Sequence, residues 1–191
     1  MKKMVLSLFA SGLVVLDLTG IVPGSPSEFG LKSAEAAGTR NRITWDVAID
    51  CRTWRFNGGV SFQDFGRGDS FIANGKIFPA HTLLSGVQSN DPNDPGSIGT
   101  LVERGTMAAT LAEINAGTRP TFFGTWFHLL DDGRGLVADG PHPETGPMAV
   151  IGGMGAFRGA SGELSSEIIG TNITACPNVR VRISLDNKAP R

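Results

Sequence analysis

Two segments near the ends of the chain alternate apolar and polar residues with period two, and they limit the possible folds more than anything between them. In ITWDVAIDC, residues Ile43, Trp45, Val47, Ile49 and Cys51 fall on one face, while Thr44, Asp46, Ala48 and Asp50 fall on the other. In VRVRISLD, Val179, Val181, Ile183 and Leu185 oppose Arg180, Arg182, Ser184 and Asp186. One apolar and one polar face is the pattern of half-buried strands in an antiparallel sheet. Glycine and proline interrupt nearly every window long enough for a helix, so only Met107 to Asn115 has room for a few helical turns.

The strand pattern recurs between these two segments. SFIANGKIF reads as two short arms around Asn74-Gly75, a dipeptide suited to the positive φ of a tight hairpin turn. Residues 88–97, QSNDPNDPGS, read as a loop, because Pro92 and Pro95 cannot donate to a ladder. Further strands are predicted over 98–106, 121–130, 135–138, 148–152, 162–169 and 179–185, with Asp131-Asp132-Gly133 as one of the turns. About eight short strands without helices to cover them point to a sandwich or a closed barrel.

The cysteines bear on that choice. Cys51 closes the first strand and Cys176 precedes the last. A disulfide between them suits a barrel in which the first and last strands pair; two buried thiols are the alternative reading. GGMGAFRGASGEL, residues 152–164, is then expected to supply the corner and turn glycines that a small closed barrel needs to bend its strands. A phosphate-binding loop is excluded by context, since no helix follows GGMGAF to offer its N-terminus.

The chain begins MKKMVLSLFASGLVVL, two lysines followed by an uncharged run that ends at Asp17. This run is shorter than the roughly 20 apolar residues of a spanning helix, and it reads as a secretory signal. Residues 1–36 are taken as signal peptide or leader, with processing after Ala34-Glu35-Ala36, and 37–191 as one domain. The expected location is secreted or periplasmic, with no membrane attachment after processing. A formal net charge of −1, with lysine and arginine scattered among the acids, gives no basic face for nucleic acid. The expected partner is an apolar small molecule or a second copy of the chain.

MAVIGGMGAFRGASGELSSEIIGTN resembles the C-terminal hairpin motif of the allene oxide cyclase and dirigent superfamily, and GRGDSFIANGKIF, PGSIGT and FHLLDDGRGLVADG extend the likeness over residues 43–186. The resemblance implies an all-β fold, a small closed eight-stranded antiparallel β-barrel, often trimeric. It also implies a lumen that receives an apolar ligand and directs cyclisation or coupling, an isomerase-like activity, without metal or organic cofactor. A rigid apolar cavity can perform such steering by holding one conformer of a reactive intermediate and excluding water. Plant members have an aromatic-Glu pair on the first strand followed by Asn two residues on; Trp45, Asp46 and Ala48 stand at those positions here. By resemblance, Asp46 is the candidate catalytic carboxylate; a solvated position on the outer face of the strand is the alternative.

TFFGTWFHLL supplies a second candidate from its own pattern. Phe122, Trp126 and His128 share one face with Gly124, and Phe123, Phe127 and Leu129 share the other with Thr125. A strand apolar on both faces is covered on both, so one side is expected toward the lumen and the other toward a neighbouring subunit. On the lumen side, His128 would serve general acid or base chemistry, with Trp126 and Phe122 lining the ligand site; a hydrogen-bonded structural histidine is the alternative. Glu103 and Arg104 point to opposite faces and are read as solvated, with Arg104 to Asp50 as the pairing a buried charge would use.

Other matches carry less. His81, His128 and His142 lack the spacing of a zinc site. Arg67-Gly68-Asp69 matches an adhesion tripeptide by chance composition. Asn172-Ile173-Thr174 is a glycosylation acceptor only in a cell equipped for it. Three readings of function follow: an exported barrel that steers a reaction, a carrier that sequesters an apolar ligand, and a filled barrel with a structural role.

Overall fold

The structure is a computed structural model; it describes residues 41–84, 90–142 and 146–186. The leader assigned to 1–36 and its cleavage site lie outside the described residues. Eight strands form one closed antiparallel barrel: β1 (Asn41–Phe56), β2 (Ser70–Pro79), β3 (Gly99–Met107), β4 (Phe122–Leu130), β5 (Gly135–Pro141), β6 (Met148–Met154), β7 (Gly162–Thr171) and β8 (Pro177–Leu185). A five-residue helix, α1 (Leu111–Asn115), falls in the predicted helical window, where Thr110 and Glu113 form a reciprocal capping box.

Each strand pairs with its sequence neighbours, and β1 also pairs with β8, so the sheet has no free edge. In that closing ladder Ile43 faces Ile183, Trp45 faces Val181 and Val47 faces Val179. The two alternating segments therefore turn their apolar faces to the same side, which is the barrel interior. Trp45, Leu101, Trp126, Leu136, Leu164 and Ile183 belong to one continuous inner cluster, each at most 3% exposed. Cys51 and Cys176 are joined by a disulfide, with Cα atoms 5.3 Å apart, where the end of β1 meets the start of β8.

The hairpin expected at Asn74-Gly75 does not form. β2 runs unbroken through both residues, which pair with Asp50 and Ile49 of β1. A Cβ on Gly75 would lie 2.8 Å from the Ala48 carbonyl oxygen, so this glycine serves close strand approach rather than a turn. Immediately beyond, the β1–β2 register jumps between Asp50 and Arg55, a bulge that sets residues 51–54 against a single partner position. The bulge resets the alternation, and Trp54 and Phe56 then join the interior aromatic cluster with Phe71 and Phe122.

The glycine-rich segment 152–164 closes the opposite end. After β6 the chain makes one 3-10 turn, Gly155–Phe157, and Phe157 packs against the inner cluster. A Cβ on Gly153 would sit 2.5 Å from the Phe157 carbonyl oxygen and 2.7 Å from that of Gly135. The glycines let the strand end, the turn and the β5 backbone approach closely enough for Phe157 to fold over the mouth.

Candidate functional site in the barrel lumen

Three strands, the adjacent β3 and β4 and, beyond β2, β1, place polar side chains among the interior apolar ones. Trp45 comes from β1, Glu103 from β3, and Trp126 and His128 from β4. Glu103 lies opposite Trp126 in the ladder and Leu101 lies opposite His128, so all four residues share the inner face. His128 is fully buried, as its strand pattern allowed, between the rings of Trp45 at 5.2 Å and Trp126 at 6.0 Å. Phe122 faces inward near the far mouth, edge-on to His142 at 4.5 Å. Trp126 and His142 are 6.3 Å apart, so Trp126 has an imidazole on either side.

The polar atoms of this group are only partly matched. Trp126 Nε1 donates to Glu103 Oε1 at 3.0 Å. Glu103 Oε2, both ring nitrogens of His128 and Trp45 Nε1 are buried and have no hydrogen-bond partner among the described residues. Each unmatched buried group costs on the order of 1–3 kcal/mol. Burial pushes the Glu103 carboxyl up to about 8, against which the Trp126 hydrogen bond works, and burial pushes His128 down to about 3. His142 is lowered to about 4 by burial and by the positive charge of Arg119. Near neutral pH the lumen therefore holds a protonated carboxyl group and two neutral imidazoles.

Asp46 lies elsewhere. It points to the outer face of β1, where it is fully buried. Its carboxylate accepts from Arg180 Nε at 2.9 Å and Nη2 at 3.3 Å, and from the Leu83 backbone N–H at 3.1 Å. Leu83 packs there with Ala48 and Phe78. The segment after β2 thus folds over the outside of the barrel, and Asp46 is neither a lumen group nor a solvated one. The lumen carboxylate is Glu103, read from sequence as solvated yet 1% exposed. Its place was legible in the alternation, because Glu103 shares its face with Leu101 and Met107. Arg104 is exposed on the outer face with its guanidinium 5.0 Å from the Phe127 ring centroid, while Asp50 pairs with Arg52 at 2.8 Å.

The remaining motifs resolve as structure. Arg67 pairs with Glu113 at 2.6 Å and the Asp69 carboxylate accepts the Gly66 N–H at 2.6 Å, which fixes the RGD turn internally. Asn172 is fully buried and donates to the Ile49 carbonyl at 2.7 Å, so in the folded protein the amide nitrogen that would carry a glycan is inaccessible. Among the described residues, no group of three or more His, Cys, Asp or Glu side chains is placed to hold a metal ion.

Outside the lumen, a depression of about 490 Å³ lies where Gly105, Gly124 and Gly140 stand in register across β3, β4 and β5, bordered by Arg104, Phe123 and Asp139. A second, of about 340 Å³, borders Asp50, Lys76 and Thr100. Beside the polar lining of the first, two large apolar side chains are exposed, Phe123 at 54% and Ile72 at 46%.

No protein-family profile and no curated protein matches the chain. Solved structures do. The pterocarpan synthase dirigent protein PsPTS1 aligns at a TM-score of 0.55 and 15% identity, over 79% of this chain and 97% of that one. GePTS1, another pterocarpan synthase dirigent protein, aligns at 0.55 and 13%, over 76% and 88%. AbnU, described as an exo-specific intermolecular Diels-Alderase, aligns at 0.46 and 15%, over 78% and 98%. The first two likenesses show the fold alone, and they do not single out allene oxide cyclase: this chain has a barrel fold like that of the two dirigent proteins.

Proposed function

We propose that the barrel binds an apolar small molecule at Trp45, Glu103, Trp126 and His128 and steers its cyclisation or coupling without a cofactor. The observation that carries this reading is the concentration of buried, unmatched polar atoms on one stretch of the inner face. A folded chain leaves such atoms unpaired at a cost, and a ligand with complementary polar groups would recover it. The surrounding apolar walls would hold the ligand in one conformer and keep water out. The fold likeness to dirigent proteins agrees with this use of a lumen. The disulfide suits an oxidising compartment and hence a secreted or periplasmic protein. The exposed side chains of Phe123 and Ile72 suit self-association, and the trimer is the state the family resemblance suggests.

A filled barrel with a structural role is the second reading. It is favoured by the packing at the lumen centre, where Ile77, Leu101, Leu136 and Met148 are at most 1% exposed, and by the outer position of both depressions. Native mass spectrometry of the mature protein, purified without added ligand, separates the two. A retained small molecule of defined mass, lost in Glu103→Gln and His128→Phe variants that remain folded, is the result expected for the lumen site. Bare protein, unchanged after incubation with extracts of the producing culture, would favour the filled barrel.

A further inference from the structure

The two lumen groups Glu103 and His128 differ in kind and are held apart. They are diagonal neighbours on adjacent strands, since Glu103 faces Trp126 and His128 lies two residues beyond it. Such diagonals are spaced by about 7–8 Å, within reach of long and aromatic side chains. Glu103 is anchored through one oxygen, and its second oxygen has no partner. The His128 ring is held between two tryptophans with both nitrogens unpartnered. Neither group is satisfied by the other; Trp126 touches both, through its hydrogen bond to Glu103 and its ring contact with His128, and Trp45 packs on the His128 ring.

We propose that Glu103 and His128 form a proton donor and acceptor pair that isomerises a β,γ-unsaturated carbonyl compound to its conjugated α,β form by proton transfer alone. The inference rests on the lumen-binding reading and adds a reaction and a substrate class. In the first step an unprotonated His128 nitrogen takes the proton from the carbon between the carbonyl and the double bond. The C–H electron pair becomes the enol double bond, and the carbonyl oxygen takes the proton from Glu103 Oε2. In the second step the imidazolium delivers its proton to the γ carbon, and the enol O–H returns its proton to the Glu103 carboxylate. The double bond has moved by one position, both side chains are restored, and no oxidant or reductant is consumed.

Burial prepares both partners. It keeps Glu103 protonated and His128 neutral before the reaction, the states that the first step requires. Once Glu103 becomes a carboxylate, its charge in a medium of low dielectric favours the imidazolium form of His128 and offsets that ring's low basicity. Among the described residues, His142 lies beyond Trp126, where the charge of Arg119 acts on it. Asp46 and Arg104 face outward.

The test uses cyclohex-3-en-1-one as substrate probe and cyclohexanone as unreactive binding probe. The chain has three tryptophans and no tyrosine, so changes in intrinsic emission report binding, and a Trp54→Phe variant confines the signal to the two lumen tryptophans. The expected result is conversion to cyclohex-2-en-1-one above the buffer rate, with the proton removed from the α carbon delivered to the γ carbon, so that a probe deuterated at the α carbon keeps label at the γ carbon of the product. Glu103→Gln and His128→Phe should each lower the rate by about a hundredfold or more, and Glu103→Asp should restore part of it. Quenching without conversion would overturn the proton-transfer pair while leaving lumen binding intact. Conversion that survives both substitutions would overturn the assignment to these residues. Absence of quenching by either probe would overturn both the pair and the binding reading for carbonyl ligands.

Discussion

Replacing Glu103 with Gln should remove the loss of stability that the wild type suffers as pH rises from 6.5 to 8. The native carboxyl holds its proton up to about 8, whereas the ordinary value is 4.5. Above 4.5 the unfolded chain releases a proton that the folded chain keeps, so the stabilisation present below 4.5 is lost as pH rises toward 8, at about 1.4 kcal/mol per pH unit. His128 and His142 act with opposite sign: their folded values of about 3 and about 4 lie below the ordinary 6.5, so their effect is felt only as pH falls below 6.5. The interval from 6.5 to 8 thus isolates Glu103, and one and a half pH units amount to about 2 kcal/mol. For a domain of this size that corresponds to about 4–8 °C in Tm. Glutamine preserves the acceptor for Trp126 and nearly the same volume, and it cannot ionise. Thermal unfolding followed by tryptophan emission, with the disulfide intact, should show Tm falling over this interval in wild type and staying level in Glu103→Gln. Parallel curves for the two proteins would refute the claim that Glu103 is buried and neutral.

Two further predictions concern the frame. The disulfide closes a separation of 125 residues, for which the chain-entropy account gives about 5 kcal/mol; reductant should lower the unfolding midpoint of wild type and leave a Cys51→Ser, Cys176→Ser double variant unchanged in calorimetry. At the glycine-rich mouth, Gly153→Ala should destabilise by about 1–3 kcal/mol in urea titration, because its Cβ would collide with two backbone oxygens. Gly152→Ala, whose Cβ would meet nothing within 4 Å, should lie within about 0.5 kcal/mol of wild type.

The barrel was legible because its information is local and periodic. Alternation placed β1 and β8, turn residues separated most of the others, and the positions of Cys51 and Cys176 pointed to the closing ladder. Asn74-Gly75 misled because turn propensity competes with strand pairing, and two neighbouring strands overrode it there. Asp46 and Glu103 exchanged expected environments for a related reason. Alternation says which residues share a face, but burial of the outer face depends on a distant segment, here the backbone at Leu83. His142 was missed as a lumen neighbour because it follows a strand and its position depends on how the mouth is packed. Its ring contacts with Phe122 and Trp126 have no counterpart in sequence spacing.

The contrast between the two buried carboxylates sharpens the functional reading. Asp46 has no exposed surface, yet it receives an arginine and a backbone N–H, which is how a buried charge is ordinarily accommodated. Glu103 is as deeply placed and receives a single tryptophan N–H, in a cluster where His128 and Trp45 also lack partners. A structural role alone would be served as well by Gln at 103 or Leu at 128, either of which would avoid the burial cost of an ionisable group. The unsatisfied atoms of Glu103, His128 and Trp45 share the inner face, while the Asp46 carboxylate is ion-paired on the outer one, and that is the arrangement expected where a lumen must offer a proton and accept one.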